Sequence, residues 1–284
     1  MKKLLLLPVI LAFIGCDDIK QPLKDSYAFC EGCETEYIDE FVTTQNVLME
    51  EFTGITCNNC PEAAGEIKDL IAANPGRVFT IGIHASNFAV PDSAKGYSAD
   101  FRTPEGTEIY NDATPYGVPS AIINRLDYGE PAKYAKTQMK TWEGFVNTII
   151  ASGTSDVGLM ASAEYNDTTS EVCLTTRFRA EVDVANRSLW YVAVLTESDI
   201  VAQQKMPNLE ANPDYIHNHV LRASFNGTYG EAIAADLEST GSVTCISRSI
   251  TLEPNWVAEN CHVVLYVYDD DTKEIVQVIE TELE

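Results

Sequence analysis

Apolar positions along the chain fall into two regimes. Over the first half, short apolar runs alternate with helical spacing. Val47 to Phe52 reads as a buried strand, and Ala63, Ala64, Ile67, Leu70 and Ile71 recur at helical intervals between about Cys60 and Ala73. Asn74-Pro75-Gly76 closes that helix, and Val78 to His84 forms a second apolar strand. Residues 86–115 are rich in turn formers and aromatics and read as an insertion with one short helix near Thr107 to Asn111. Pro119 then precedes the apolar run Ala121-Ile122-Ile123, a placement that suits an edge or the first position of a strand. Trp142, Phe145, Val146, Ile149 and Ile150 mark an amphipathic helix over Thr141 to Ala151. From about Ser155 the period becomes two. Asp156–Tyr165, Glu171–Val184, Ser188–Thr196, Val243–Leu252, Cys261–Tyr268 and Glu274–Glu280 read as strands. In the second of these, Val172, Leu174, Thr176, Phe178, Ala180 and Val182 share one face, as in a half-buried antiparallel strand. The pattern predicts an α/β domain over 41–153 and an all-β sandwich over 154–284.

Composition narrows the partners. The 284 residues carry 45% hydrophobic side chains, enough for real cores, and a net charge of -24 from 19 basic and 43 acidic residues. A nucleic-acid binder needs a basic footprint, so no nucleic acid is expected as a partner. Lys2 and Lys3 precede an apolar stretch from Leu4 to Ile14, too short to span a bilayer and of signal-peptide length. It ends in Phe13-Ile14-Gly15-Cys16, which resembles a bacterial lipobox. That resemblance implies a signal peptide over 1–15, lipidation of Cys16 and a membrane attachment through the lipid. Residues 16–40, polar and acidic, read as a tether. An exported chain lies where disulfides persist.

The candidate chemistry sits at Cys57-Asn58-Asn59-Cys60, between the first strand and the first helix. Unpaired N–H groups and the positive end of a helix dipole lie beside the first cysteine and favour its thiolate. Cys57 is the expected attacker and Cys60 the resolver of a thiol–disulfide exchange. Glu50 and Glu51 point to opposite faces of the strand, so a sheet covered on both sides buries at least one carboxyl. A buried carboxyl titrates near neutrality and passes protons. Cys30 and Cys33 form a second C-x-x-C, and with Cys57 and Cys60 they also make a four-thiolate zinc pattern. Export favours oxidation, so a local Cys30–Cys33 bridge, or one that exchanges with Cys57, is expected instead.

This first half resembles a thioredoxin fold. The matching residues are Glu51 followed by Phe52, the pair Cys57 and Cys60, and Pro119 after Val118. The resemblance implies a buried proton-carrying acid at Glu51 and a cis-proline at Pro119 that presents backbone to a substrate peptide. The second half, by its strand count, resembles an immunoglobulin-like sandwich. Its cysteines are Cys173, Cys245 and Cys261, and a surface bridge Cys173–Cys245 is expected. The long excursion from Ser198 to Glu238 carries His217 and His219. In an extended chain they face the same way and could hold a metal, but no third ligand stands at ligand spacing. Neither a metal nor another cofactor is expected.

The combination resembles a family of exported lipoproteins from Bacteroides-like bacteria, the outer-membrane protein twenty-eight family. The residues that carry the likeness are Met49-Glu50-Glu51-Phe52-Thr53-Gly54, Cys57-x-x-Cys60-Pro61, Gly117-Val118-Pro119-Ser120 with Asn124-Arg125, and Tyr215 with His217-Asn218-His219-Val220-Leu221-Arg222. The resemblance implies an outer-membrane location and leaves the activity open. One reading is a thiol–disulfide oxidoreductase acting on exported proteins through Cys57, Cys60, Glu51 and Pro119. The other is a surface adhesin or receptor for which the fold is a scaffold and Cys57–Cys60 a structural bridge. Fold alone does not choose between them.

Overall fold

A computed structural model describes residues 33, 40–126, 139–233 and 237–284. The expected signal peptide, Cys16 and most of the expected tether lie outside these residues. Fourteen strands and three α-helices are present among the described residues. In chain order they are β1 (Val42–Thr44), β2 (Val47–Thr53), α1 (Cys60–Ala73), β3 (Val78–His84), α2 (Pro104–Ala113), β4 (Ser120–Ile123), α3 (Met139–Ile150), β5 (Thr154–Asn166), β6 (Glu171–Ala180) and β7 (Leu189–Glu197). There follow β8 (Ile200–Lys205), β9 (Ala211–His217), β10 (Val220–Ser224), β11 (Glu231–Ala232), β12 (Val243–Thr251), β13 (Cys261–Asp269) and β14 (Ile275–Glu282).

The expected fold, a thioredoxin-like α/β domain followed by an immunoglobulin-like sandwich, is not what the chain builds. The strands beside Cys57 do not make a sheet of their own. They belong to one eight-stranded sheet in the order β14-β13-β7-β10-β3-β2-β4, with β11 pairing β7. Strands from both sides of residue 153 therefore share a single sheet. The join is β10, which runs parallel to β3 with Val220 opposite Gly82 and antiparallel to β7. The Gly82 N–H donates to the His219 carbonyl at 2.7 Å. A Cβ at Gly82 would stand 3.1 Å from that oxygen, which explains a glycine in the middle of an apolar strand.

Alternation along the strands then sorts three cores. Leu48, Phe52, Ile81, Ile83, Val192, Val264 and Tyr266 lie in one continuous apolar cluster that runs from β2 to β13 and is joined by Ile109 and Ala113 of α2. The opposite face is divided. At the β2 end, α1 and α3 cover Val47, Met49 and Ile123 with Ile67, Leu70, Trp142 and Val146. At the β13 end, Tyr191, Leu195, Val263 and Leu265 face a second sheet in the order β1-β5-β6-β12.

Buried polar groups tie the two ends together. Asn46 gives its backbone N–H to Gln277 Oε1 at 3.1 Å and its side-chain amide to the Val278 carbonyl at 2.9 Å. The Arg125 guanidinium meets the Glu50 carboxylate at 2.6 and 2.8 Å and donates to the Tyr266 hydroxyl at 3.1 Å. Both members of that ion pair are 1% exposed.

The cysteines pair differently from expectation. Cys33 is bonded to Cys245 of β12, not to Cys30 or Cys57, and the Cys173–Cys245 bridge does not form. Cys173 is disulfide-bonded as well. These bonds remove the thiolates on which the four-cysteine zinc alternative depended. Cys261 is a free, buried thiol whose pKa burial pushes up to about 12.

Candidate functional site

β2 ends at Thr53, and the chain turns sharply through Gly54 before reaching Cys57. A Cβ on Gly54 would fall 2.5 Å from the Phe88 carbonyl carbon, so only glycine lets the two backbones pass. The turn is pinned by the Cys57 N–H donating to the Gly54 carbonyl at 3.0 Å and the Thr56 N–H donating to the Phe88 carbonyl at 3.0 Å. Cys60 opens α1, with Pro61 in its first turn, where a missing N–H costs nothing. Cys57 and Cys60 are joined by a disulfide, and each is 3% exposed.

That low exposure comes from the excursion after β7. β8 and β9 pair as a hairpin that lies over the cysteine turn. The Lys205 N–H donates to the Ile55 carbonyl at 2.9 Å, and Gln204 donates its side-chain amide to the Cys57 carbonyl at 2.8 Å. Gln204 is itself buried. Sequence reasoning missed this residue. The hairpin turns the apolar Val201 and Ile216 outward, 62% and 51% exposed, and the polar Gln204 and His217 inward.

Of the two neighbouring carboxyls, both are buried, but only one is compensated. Glu50 faces Arg125. Glu51, on the α1 side, has Oε1 without a hydrogen-bond partner, and burial pushes its pKa up to about 7. The Val118–Pro119 peptide is cis. Register sets Ser120 opposite Phe52, so Pro119 lies at the end of the sheet from which the cysteine turn departs.

A cavity of about 30 Å³ lies behind Cys60, lined among others by Glu51, Cys60, His84, Gln204, Tyr215 and His217. A larger groove of about 700 Å³ between α1 and β9, with Pro61, Lys68 and Ile216 on its walls, also reaches Glu51. His84 and His217 are buried, and burial holds them neutral, with pKa values lowered to about 3 and about 4. The two imidazoles pack edge-on against Phe101 at 5.1 and 5.0 Å.

The expected pairing of His217 with His219 does not arise. His219 takes a left-handed backbone, φ 56°, in the turn into β10 and leaves the strand that carries His217. Among the described residues no group of three or more His, Cys, Asp or Glu side chains is placed to hold a metal ion.

A family model described as "Outer membrane protein Omp28" matches residues 108–284. The matched stretch begins within α2 and does not include Cys57 and Cys60. Among solved structures, HBP35 of Porphyromonas gingivalis superposes with a TM-score of 0.66 at 15% identity, covering 86% of this chain and 77% of that one. This likeness is one of fold. A domain of the outer membrane lipoprotein Omp28 from Porphyromonas gingivalis is 23% identical, covers 46% of this chain and 89% of its own, and has a TM-score of 0.34. No curated protein matches the sequence.

Proposed function

From the premise that the chain belongs to the Omp28 family of outer membrane proteins, we propose that it is a lipid-anchored thiol–disulfide exchanger whose Cys57–Cys60 pair acts on exported proteins. The observation that carries this reading is Glu51. An unpartnered buried carboxyl is costly and contributes nothing to packing, yet it lines the cavity that Cys60 also lines. Titration near neutrality beside a cystine is what proton transfer in such an exchange requires. Attachment through Cys16 rests on the sequence alone. Among the described residues no helix is long and apolar enough to cross a membrane.

The exchange runs as two displacements. A thiolate of a substrate dithiol bonds to Cys57 Sγ, and the Cys57–Cys60 bond breaks with its electron pair on Cys60 Sγ. Glu51 gives its proton to that sulfur. The second substrate thiolate then attacks the substrate sulfur of the mixed disulfide and releases Cys57 as a thiolate. The substrate dithiol is oxidised and the pair reduced by two electrons. The reverse sequence reduces a substrate disulfide. Pro119 edges the surface on which an extended substrate backbone docks.

Purified protein is expected to exchange with a model dithiol, and Cys57→Ser to abolish the reaction. Cys60→Ser is expected to retain the substrate on Cys57 as a mixed disulfide. Full activity in Cys57→Ser removes the mechanism.

The 3% exposure of both cysteines favours a second reading, a surface-binding lipoprotein in which the pair is a fixed bridge. The reduction potential separates the two. A value below about −300 mV marks a structural disulfide, and a higher one marks an exchanging pair.

A further inference from the structure

Three buried polar atoms on three different strands have no hydrogen-bond partner: Glu51 Oε1 on β2, His84 Nδ1 on β3 and His217 Nε2 on β9. All three residues line the same cavity behind Cys60. The Gly82 backbone lies within hydrogen-bonding reach of the His84 imidazole, and the Ala202 backbone within reach of that of His217. A neutral imidazole whose N–H is turned to that backbone presents an acceptor lone pair at its other nitrogen. The ring centroids are 6.0 Å apart, too far for a direct bond between the rings and within the span of one bridging molecule. The cavity volume of about 30 Å³ holds on the order of one water, and a buried water needs two to four polar partners.

We infer that Glu51, His84 and His217 bind one water molecule behind Cys60, and that this water sets the position and affinity of the proton Glu51 exchanges. The hydrogen-bond count closes with a single molecule. The water donates one hydrogen to His84 Nδ1 and one to His217 Nε2, and its oxygen accepts from protonated Glu51. When Glu51 has passed its proton to Cys60 Sγ, the water turns one hydrogen from an imidazole onto the carboxylate and keeps its bond to the other ring. His84 and His217 are thus positioning residues, acting on Glu51 through the water. The site stands on geometry alone; its part in the exchange rests on the thiol–disulfide reading above.

The neighbouring groups that titrate or carry charge are accounted for. Tyr215 on β9 flanks Glu51 and stays neutral, its pKa pushed up to about 12 mainly by burial. Arg222 on β10 is held by Glu197 at 2.7 Å, and Asp100 in the loop before α2 by Arg102 at 2.7 Å. Cys60 of α1 is bonded to Cys57.

The test follows the Glu51 carboxyl by ¹³C NMR in the full, oxidised chain from pH 5 to 9, beside the rate of reduction by dithiothreitol. His217→Phe and His84→Phe each remove an acceptor, which frees a water hydrogen for the carboxylate, and are expected to lower the Glu51 midpoint by about one unit, tenfold in proton affinity. The inflection of the rate profile moves with it. His217→Gln sets an amide oxygen near the lost Nε2 and is expected to keep the wild-type midpoint, which a purely structural role does not explain. An unmoved midpoint in both phenylalanine variants overturns the site, as does a His217→Gln midpoint displaced as far as that of His217→Phe. Should His217→Phe not fold, His84→Phe carries the same reading. A wild-type pair inert to dithiothreitol overturns the exchange reading alone, because the titration is read without any exchange.

Discussion

Glu50 and Glu51 are adjacent, both buried, and opposite in consequence. Glu50 is neutralised by Arg125, and removing that partner leaves a charge with nothing to balance it. Arg125→Met is expected to destabilise the chain by about 3–5 kcal/mol in urea unfolding. Glu51 pulls the other way. Its folded pKa of about 7 lies above the unfolded value of 4.5. Below pH 4.5 the group is neutral in both states and costs nothing. As pH rises from 4.5 to 7 the unfolded chain ionises first, so stability falls across that window. Glu51→Gln is therefore expected to stabilise the protein at pH 8 by up to about 3 kcal/mol and to change little at pH 4. A difference independent of pH counts against a buried, titrating Glu51. His84 and His217 contribute with the opposite sign. Held neutral in the fold, they stabilise it above pH 6.5, and that contribution is lost as pH falls through about 4 and about 3. Strand alternation alone made one buried carboxyl legible in the sequence. That both are buried follows from coverage of both sheet faces, which a single sequence does not display.

At the scale of elements, the stretches with strong periodicity were readable almost to the residue. The helix expected from Cys60 to Ala73 is α1, and the six strands expected after residue 154 all form, as β5, β6, β7, β12, β13 and β14. The excursion was not readable, for a physical reason. In β8 and β9 the apolar Val201 and Ile216 face solvent while the polar Gln204 and His217 are buried, so at these positions the usual in–out rule reads inverted. The hairpin is nevertheless the element that governs access to Cys57. Its hold includes the Gln204 amide on the Cys57 carbonyl. Gln204→Leu keeps the volume and leaves that buried carbonyl without its donor, a loss of about 1–3 kcal/mol. Dithiothreitol is expected to reduce Cys57–Cys60 at least about tenfold faster in this variant, measured by loss of the disulfide under pseudo-first-order conditions. An unchanged rate means that the hairpin does not limit access.

For the whole molecule, the main departure from expectation is that one sheet runs through it. The decisive contact joins two backbone groups, the Gly82 N–H and the His219 carbonyl, and main-chain groups leave no side-chain signature. Cysteine pairing was hidden for a related reason, since eight cysteines allow 105 connectivities and spacing does not rank them. The Cys33–Cys245 bond closes a separation of 212 residues. Its removal by Cys33→Ser is expected to cost about 2–5 kcal/mol, seen as a lowered melting temperature under non-reducing conditions. That bond also decides how the protein bears load. β12 is the outer strand of its sheet, so tension that reaches Cys33 passes through sulfur into β12. The antiparallel ladder that pairs Val243 to Thr251 with Arg179 to Glu171 is what then holds that strand to the body.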